Sequence, residues 1–246
     1  MKILKKIGFI SLIIISAIFA LILLLREPLP QGSKGSKAEK LADELSSAIN
    51  KDAWDQIQWL SWTFMDDHTY IWNKAENLAV IQFGKHRVQL NLISIRGSVW
   101  TDGKAVEGKK KEKLIDKAWK YWCNDSYWLN PMVKIRDDGT VRKYVELEDG
   151  NRGLLVTYTE GGVTPGDSYL YALNENGLPE YWKMWVRILP IGAVKTTFEH
   201  YQVLEGGAKI ATGHKLGPIN ISISQIKQGA TYQDIGIEKD PFLFIQ

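Results

Sequence analysis

The chain has little cysteine and little histidine, and only one long stretch without charge. Cys123 stands alone among 246 residues. A single thiol excludes an internal disulfide and any cysteine-based metal cluster. Its neighbours Trp119, Tyr121 and Trp122 mark it as a buried small hydrophobe rather than a reactive group. The four histidines, His68, His86, His200 and His214, are scattered, with no pair at helical ligand spacing. No metal and no cofactor is expected.

Charge of one sign is also missing from the body of the protein. Lys2, Lys5, Lys6 and Arg26, offset by Glu27, carry the whole formal net charge of +3, so everything beyond is neutral. A neutral body has no general attraction to a polyanion, and nucleic acid is not an expected partner. Recognisable catalytic patterns are absent too. Asp125, Ser126 and a distant histidine make no nucleophile elbow. The Gly161-Gly162 loop does not join a strand to a helix as a phosphate loop does, and reads as a hairpin connection. Asp66, Asp67 and His68 are the one acid–base grouping to weigh; Asp-Asp between two strands is ordinary turn chemistry. No enzyme activity is expected. A hydrolase built on those three residues is the alternative.

Apolar and aromatic residues are plentiful: 45% of the chain is hydrophobic, with ten Trp, ten Tyr and seven Phe, enough for a sizeable core. Residues 7–25 form one uncharged run. At ~1.5 Å per residue a helix of that length nearly spans the ~30 Å hydrocarbon core of a bilayer. Lysines precede it, which places residues 1–6 in the cytoplasm and the rest outside. A cleaved signal is the competing reading. Leu21 to Leu25 continue the apolar run behind the small residue Ala20, which favours a retained single-pass anchor in the inner membrane, with the body in the periplasm.

Residues 26–36, rich in Pro, Gly and Ser, read as a flexible linker. Leu41, Leu45, Ala48 and Ile49 recur at helical spacing and predict a helix over 37–51. The period then falls to two. Leu60, Trp62 and Phe64 alternate with Ser61 and Thr63, and Val88, Leu90 and Leu92 with Gln89 and Asn91. Tight turns join about five strands. A helix over 109–124 with an aromatic face interrupts this meander. Lys109, Lys110, Lys111 and Lys113 at its start read as a solvated end. A second meander runs to residue 228, where Tyr169, Tyr171 and Leu173 form one row and Trp182, Met184, Val186 and Ile188 another. The expectation is a mainly β, α+β domain over 37–228 with about eleven strands, followed by a loosely packed tail over 229–246.

This order of helix, meander, helix and meander resembles the superfamily of bacterial lipoprotein-localisation (Lol) carriers. The segments Gly161–Tyr169, Trp182–Trp185 and Pro190–Gly192 are similar to an uncharacterised envelope family within it. The resemblance implies a strongly curved, unclosed antiparallel β-barrel with helices in its concavity. It also implies a non-catalytic protein that binds lipid or the acyl chains of lipoproteins in an apolar hollow. Leu60, Trp62, Phe64, Val88, Leu90, Tyr169, Tyr171, Trp182, Met184 and Val186 are the candidate ligand-binding wall, because aromatics offer rigid apolar surface at little entropic cost. Plain core packing is the alternative for each. A scaffold or sensor subunit using the same curved sheet on an envelope protein is the alternative function.

Overall fold

The computed structural model describes residue 16 and residues 27–242 except 149, 151, 162, 163 and 190. The expected anchor therefore lies, but for Ser16, outside the described residues, among which no helix is long and apolar enough to cross a membrane.

Among the described residues fourteen strands, more than the eleven or so expected, form two antiparallel sheets. They are β1 (Trp59–Phe64), β2 (His68–Asn73), β3 (Leu78–Phe83), β4 (His86–Asn91), β5 (Arg96–Thr101), β6 (Lys104–Ala105), β7 (Thr140–Glu146), β8 (Arg152–Tyr158), β9 (Ser168–Leu173), β10 (Pro179–Trp185), β11 (Val194–Thr197), β12 (Glu199–Val203), β13 (Lys209–Leu216) and β14 (Ile219–Gly229). The first sheet has the order β12-β13-β14-β1-β2-β3-β4-β5-β6, the second β11-β10-β9-β8-β7. Two successive meanders were the expectation. Instead β14 pairs with β1, Phe64 opposite Ile223, and draws the last three strands into the first sheet.

The sheets share a seam. Only Phe198 separates β11 from β12, and its N–H donates to the Glu180 carbonyl of β10 at 2.8 Å. Just before it, Thr197 Oγ1 accepts from the Lys215 N–H of β13 at 3.0 Å. One long strand thus pairs with β10 through its first half and with β13 through its second. The sheet is curved and unclosed: β6 and β7 are its edges.

Among the described residues 27–242 three α-helices accompany it: α1 (Ser36–Ala48), α2 (Lys51–Gln56) and α3 (Gly108–Leu129). The helix predicted over 37–51 breaks at Asn50, whose φ of 53° is left-handed, a conformation Asn tolerates better than most residues. Its side chain caps α2 by accepting from Ala53 N–H. Helix α3 runs five residues past its expected end and stops at Asn130, where Pro131 forbids the helical conformation of the residue before it.

On α1 the stripe Leu41, Ala42 and Leu45, continued by Ile49 just past its end, is buried against the second sheet. Truncating a leucine so placed to alanine costs ~2–5 kcal/mol. Glu39 and Asp43, on its other side, pair with Arg136 at 2.7 and 2.6 Å, and Glu39 also accepts from Arg142 Nε at 3.0 Å.

Residues 27–33, expected as part of a linker, cross the outer face of the second sheet. Glu27 pairs with Lys183 of β10 at 2.7 Å. Ser33 makes a β-bridge with Tyr144, its N–H donating at 2.9 Å and its carbonyl accepting at 2.8 Å. Residues after β14 pack as well: Tyr232, Ile235, Ile237 and Phe242 cover Trp59, Leu78 and Val80 on the outer face of the first sheet. The sequence expectation of a loose tail missed this because its apolar residues follow no period.

Candidate functional site

Alternation along each strand sends one row of side chains into the concavity and the other outward. The concave rows form two aromatic-rich clusters. In the first, Leu60, Trp62 and Phe64 of β1 meet Tyr70 of β2, Ile81 and Phe83 of β3, and Val88 and Leu90 of β4. Trp62 stacks on Tyr70 with ring centroids 4.6 Å apart, and Trp122 of α3 closes on Trp62 at 5.7 Å. In the second, Tyr169, Tyr171, Trp182 and Met184 meet Phe198, with Val186 at the margin. Tyr127 of α3 stacks on Trp182 at 5.7 Å, and Trp128 approaches the same indole edge-on at 5.2 Å.

All ten predicted wall residues therefore lie on the concave side, five in each cluster. None is bare. Trp62 is 1% exposed and Trp182 0%, under side chains of α1 and α3; Tyr169 and Val186 are half-buried. The apolar row of β10 is shorter than expected, because Ile188 lies beyond the strand's end and is 74% exposed.

The filling of the hollow leaves polar atoms behind. The indole N–H groups of Trp62, Trp72 and Trp182 are buried with no hydrogen-bond partner among the described residues. So are both amide atoms of Asn130 and the hydroxyl of Thr196, which sits opposite Trp182 in the sheet. Native cores satisfy nearly all such groups, at ~1–3 kcal/mol for each one left unmade. Some polar groups in the hollow do find partners. Tyr127 OH lies 3.3 Å from both Tyr158 OH and Tyr171 OH, and burial holds these phenols well above the usual tyrosine range. His214 has Nδ1 3.1 Å from the Thr197 carbonyl, and burial pushes its imidazole down to about 4.

Sequence reasoning weighed Asp125 only with Ser126 and missed its burial and its partners. This carboxylate is 1% exposed within the face of α3 that packs on the first sheet. It accepts from Tyr70 OH, from Asn124 Nδ2 at 2.7 Å, and lies 2.7 Å from His68 Nδ1. Burial first, then the Asp125 charge, drives the Tyr70 phenol far above its ordinary value. A signal was present: Ala118, Trp122, Asp125 and Leu129 fall on one helical stripe. An imidazole oriented by a buried carboxylate is half of a nucleophile-activating arrangement. Here the other nitrogen, Nε2, lies 3.5 Å from Asp67 Oδ2, a carboxylate rather than a hydroxyl or thiol to be activated. Asp66 instead accepts from Ser224 Oγ at 3.2 Å. Among the described residues no three His, Cys, Asp or Glu side chains gather as a metal would need.

A groove of about 540 Å³ lies elsewhere, beside α2, between Gln56–Gln58, Glu205–Gly206 and Gln228. None of the ten predicted residues lines it.

No protein-family model matches the chain, and no curated protein does. Among solved structures it is similar to a DUF1329 family protein from Desulfovibrio piger, at 12% identity over 85% of this chain and 97% of that one, with a TM-score of 0.42. It is also similar to a putative outer membrane lipoprotein-sorting protein domain from Vibrio parahaemolyticus. There the identity is 10% over 79% and 97% of the two chains, with a TM-score of 0.33. Similarity to MucB is 12% in identity over 84% of this chain and 64% of that one, with a TM-score of 0.25.

Proposed function

We propose that this is a non-catalytic protein of the periplasmic face of the inner membrane, anchored by residues 7–25, that takes lipid or the acyl chains of a lipoprotein into its aromatic hollow. One observation carries the reading. The concave face is aromatic across both clusters, yet the helices that cover it leave three buried indole N–H groups unpartnered. A face meant only as permanent core has no reason to keep such groups, since a phenylalanine would fill the same space without a donor. In this reading α1 and α3 occupy the hollow when no ligand does. Helix α1 is held by ion pairs on its accessible side as well as by its apolar stripe, so those pairs govern how readily it lifts.

Native mass spectrometry of the full chain released from detergent tests this. Adducts with the mass of a membrane lipid, reduced by Trp182→Glu, are expected. Repeated absence of any lipid adduct, with no uptake of a fluorescent fatty acid, would sink the proposal.

A second reading is favoured by the burial of Trp62 and Trp182 under the protein's own helices. A filled hollow suits a scaffold or sensor subunit that meets an envelope protein on its surface. A stable partner whose capture is indifferent to Trp182→Glu would select this reading over the first.

A further inference from the structure

The anchor and the folded body are joined with almost no slack. Glu27 follows the apolar run by two residues, and two residues of chain span at most ~7 Å. Yet Glu27 is already fastened: its carboxylate pairs with Lys183 at 2.7 and 2.9 Å, and its carbonyl accepts from Trp185 Nε1 at 2.9 Å. Gly192 is pressed against the same spot, where a Cβ would stand 2.8 Å from the Glu27 carbonyl oxygen and 2.5 Å from the Trp185 ring. The point of attachment is thus one end of the second sheet, at the β10–β11 loop.

That end carries features suited to a bilayer surface. Ile188 is 74% exposed, a large apolar side chain at the tip of the loop. Arg187, exposed, precedes it, and Arg26 adjoins Glu27 in sequence. The loop is braced rather than loose: Arg187 N–H donates to Asp167 Oδ1 at 2.9 Å and its guanidinium to the Pro165 carbonyl at 3.2 Å, which fastens it to the β8–β9 loop. Tyr158, Tyr169 and Val186, half-buried members of the second aromatic cluster, lie at this same end.

We infer that the β8–β9 and β10–β11 loops sit on the surface of an anionic phospholipid bilayer, with Ile188 in the headgroup layer as a second membrane contact beside the anchor. The inference rests on the anchor reading above and adds an orientation: the second aromatic cluster is turned with its half-buried end toward the lipid. Basic side chains around an apolar tip are what such an interface attracts.

The test uses the full chain with Cys123→Ser, reconstituted in phosphatidylethanolamine–phosphatidylglycerol nanodiscs. An environment-sensitive fluorophore is placed in turn at Ser16→Cys, Ile188→Cys and Glu175→Cys. Glu175 is exposed in the β9–β10 turn, the length of β10 away from the loop, or ~20 Å at the rise of a strand. Lipids carrying a quencher either near the headgroup, which reports on Ile188 and Glu175, or deep in the acyl chain, which reports on Ser16 at the middle of the apolar run, are added. Quenching at Ser16 and at Ile188, severalfold stronger than at Glu175, is expected. Quenching at Ser16 with none at Ile188, or equal quenching at Ile188 and Glu175, overturns the orientation and leaves the anchor standing. No quenching at Ser16 overturns the anchor reading and the orientation with it.

Discussion

Asp125 on helix α3 and His68 on strand β2 are 57 positions apart in the chain and meet at 2.7 Å. The carboxylate is buried and also holds the Tyr70 hydroxyl, so it ties the helix to the first sheet through charge-assisted hydrogen bonds. Asp125→Ala leaves the buried Tyr70 hydroxyl without its acceptor and should cost ~3 kcal/mol in urea unfolding. Tyr70→Phe removes donor and demand together and should cost ~1 kcal/mol. Equal, negligible costs would show that the contact does not hold the helix in place.

The strap over the outer face depends on a missing side chain. Gly192→Ala forces a methyl group against the Glu27 carbonyl and the Trp185 ring. Overpacking of this kind costs ~1–3 kcal/mol. The expected result is faster amide exchange at Ser33 and Tyr144, the two residues of the bridge that ends the strap, with the body still folded. Unchanged exchange would mean that residues 27–33 are held independently of that contact.

Acid should weaken the fold through His214. Its folded-state value, pushed down to about 4 by burial, lies below the ordinary 6.5. Between those values the unfolded chain binds the proton and the folded chain does not, so stability falls as pH drops from 6.5 to about 4. At ~1.4 kcal/mol per pH unit the loss reaches about 3 kcal/mol once both states are protonated. The check is urea unfolding of the wild type and His214→Phe across this window. The difference between their slopes should disappear above pH 7. Parallel curves throughout would refute a neutral, buried imidazole.

The single thiol should be sluggish. Burial raises Cys123 from 9.0 to about 11, with Lys134 pulling slightly the other way. At pH 8 its thiolate fraction, and with it the alkylation rate, should be about a hundredfold lower than for a thiol of ordinary pKa. Cys123 packs half-buried against the first aromatic cluster, and reaction with iodoacetamide at the rate of a free cysteine would place it outside that cluster.

Much of this architecture is legible in the chain because alternation is a local property. Leu60, Trp62 and Phe64, and again Tyr169 and Tyr171, announce by spacing alone that they share a face, and they do. What spacing cannot announce is partnership across distance. Nothing local distinguishes β14 as the neighbour of β1, and Phe198 gives no sign that the strand around it changes sheets. Ile188 continues the apolar alternation of β10, but the strand ends at Trp185, where the chain turns toward the attachment of Glu27. Asp125 was hidden differently: the helix reads as ending at Asn124, and only its continuation to Leu129 puts Asp125 on the buried stripe with Ala118 and Trp122.

Photo-cross-linking with a diazirine fatty acid, followed by peptide mapping of the full chain in nanodiscs, tests most directly whether the hollow receives an acyl chain. Adducts on the strands bearing Trp62, Leu90, Tyr171 and Trp182, competed away by unlabelled lipid and increased when Glu39→Ala loosens helix α1, are the expected result. Adducts confined to residues 7–25, or none at all, would contradict it.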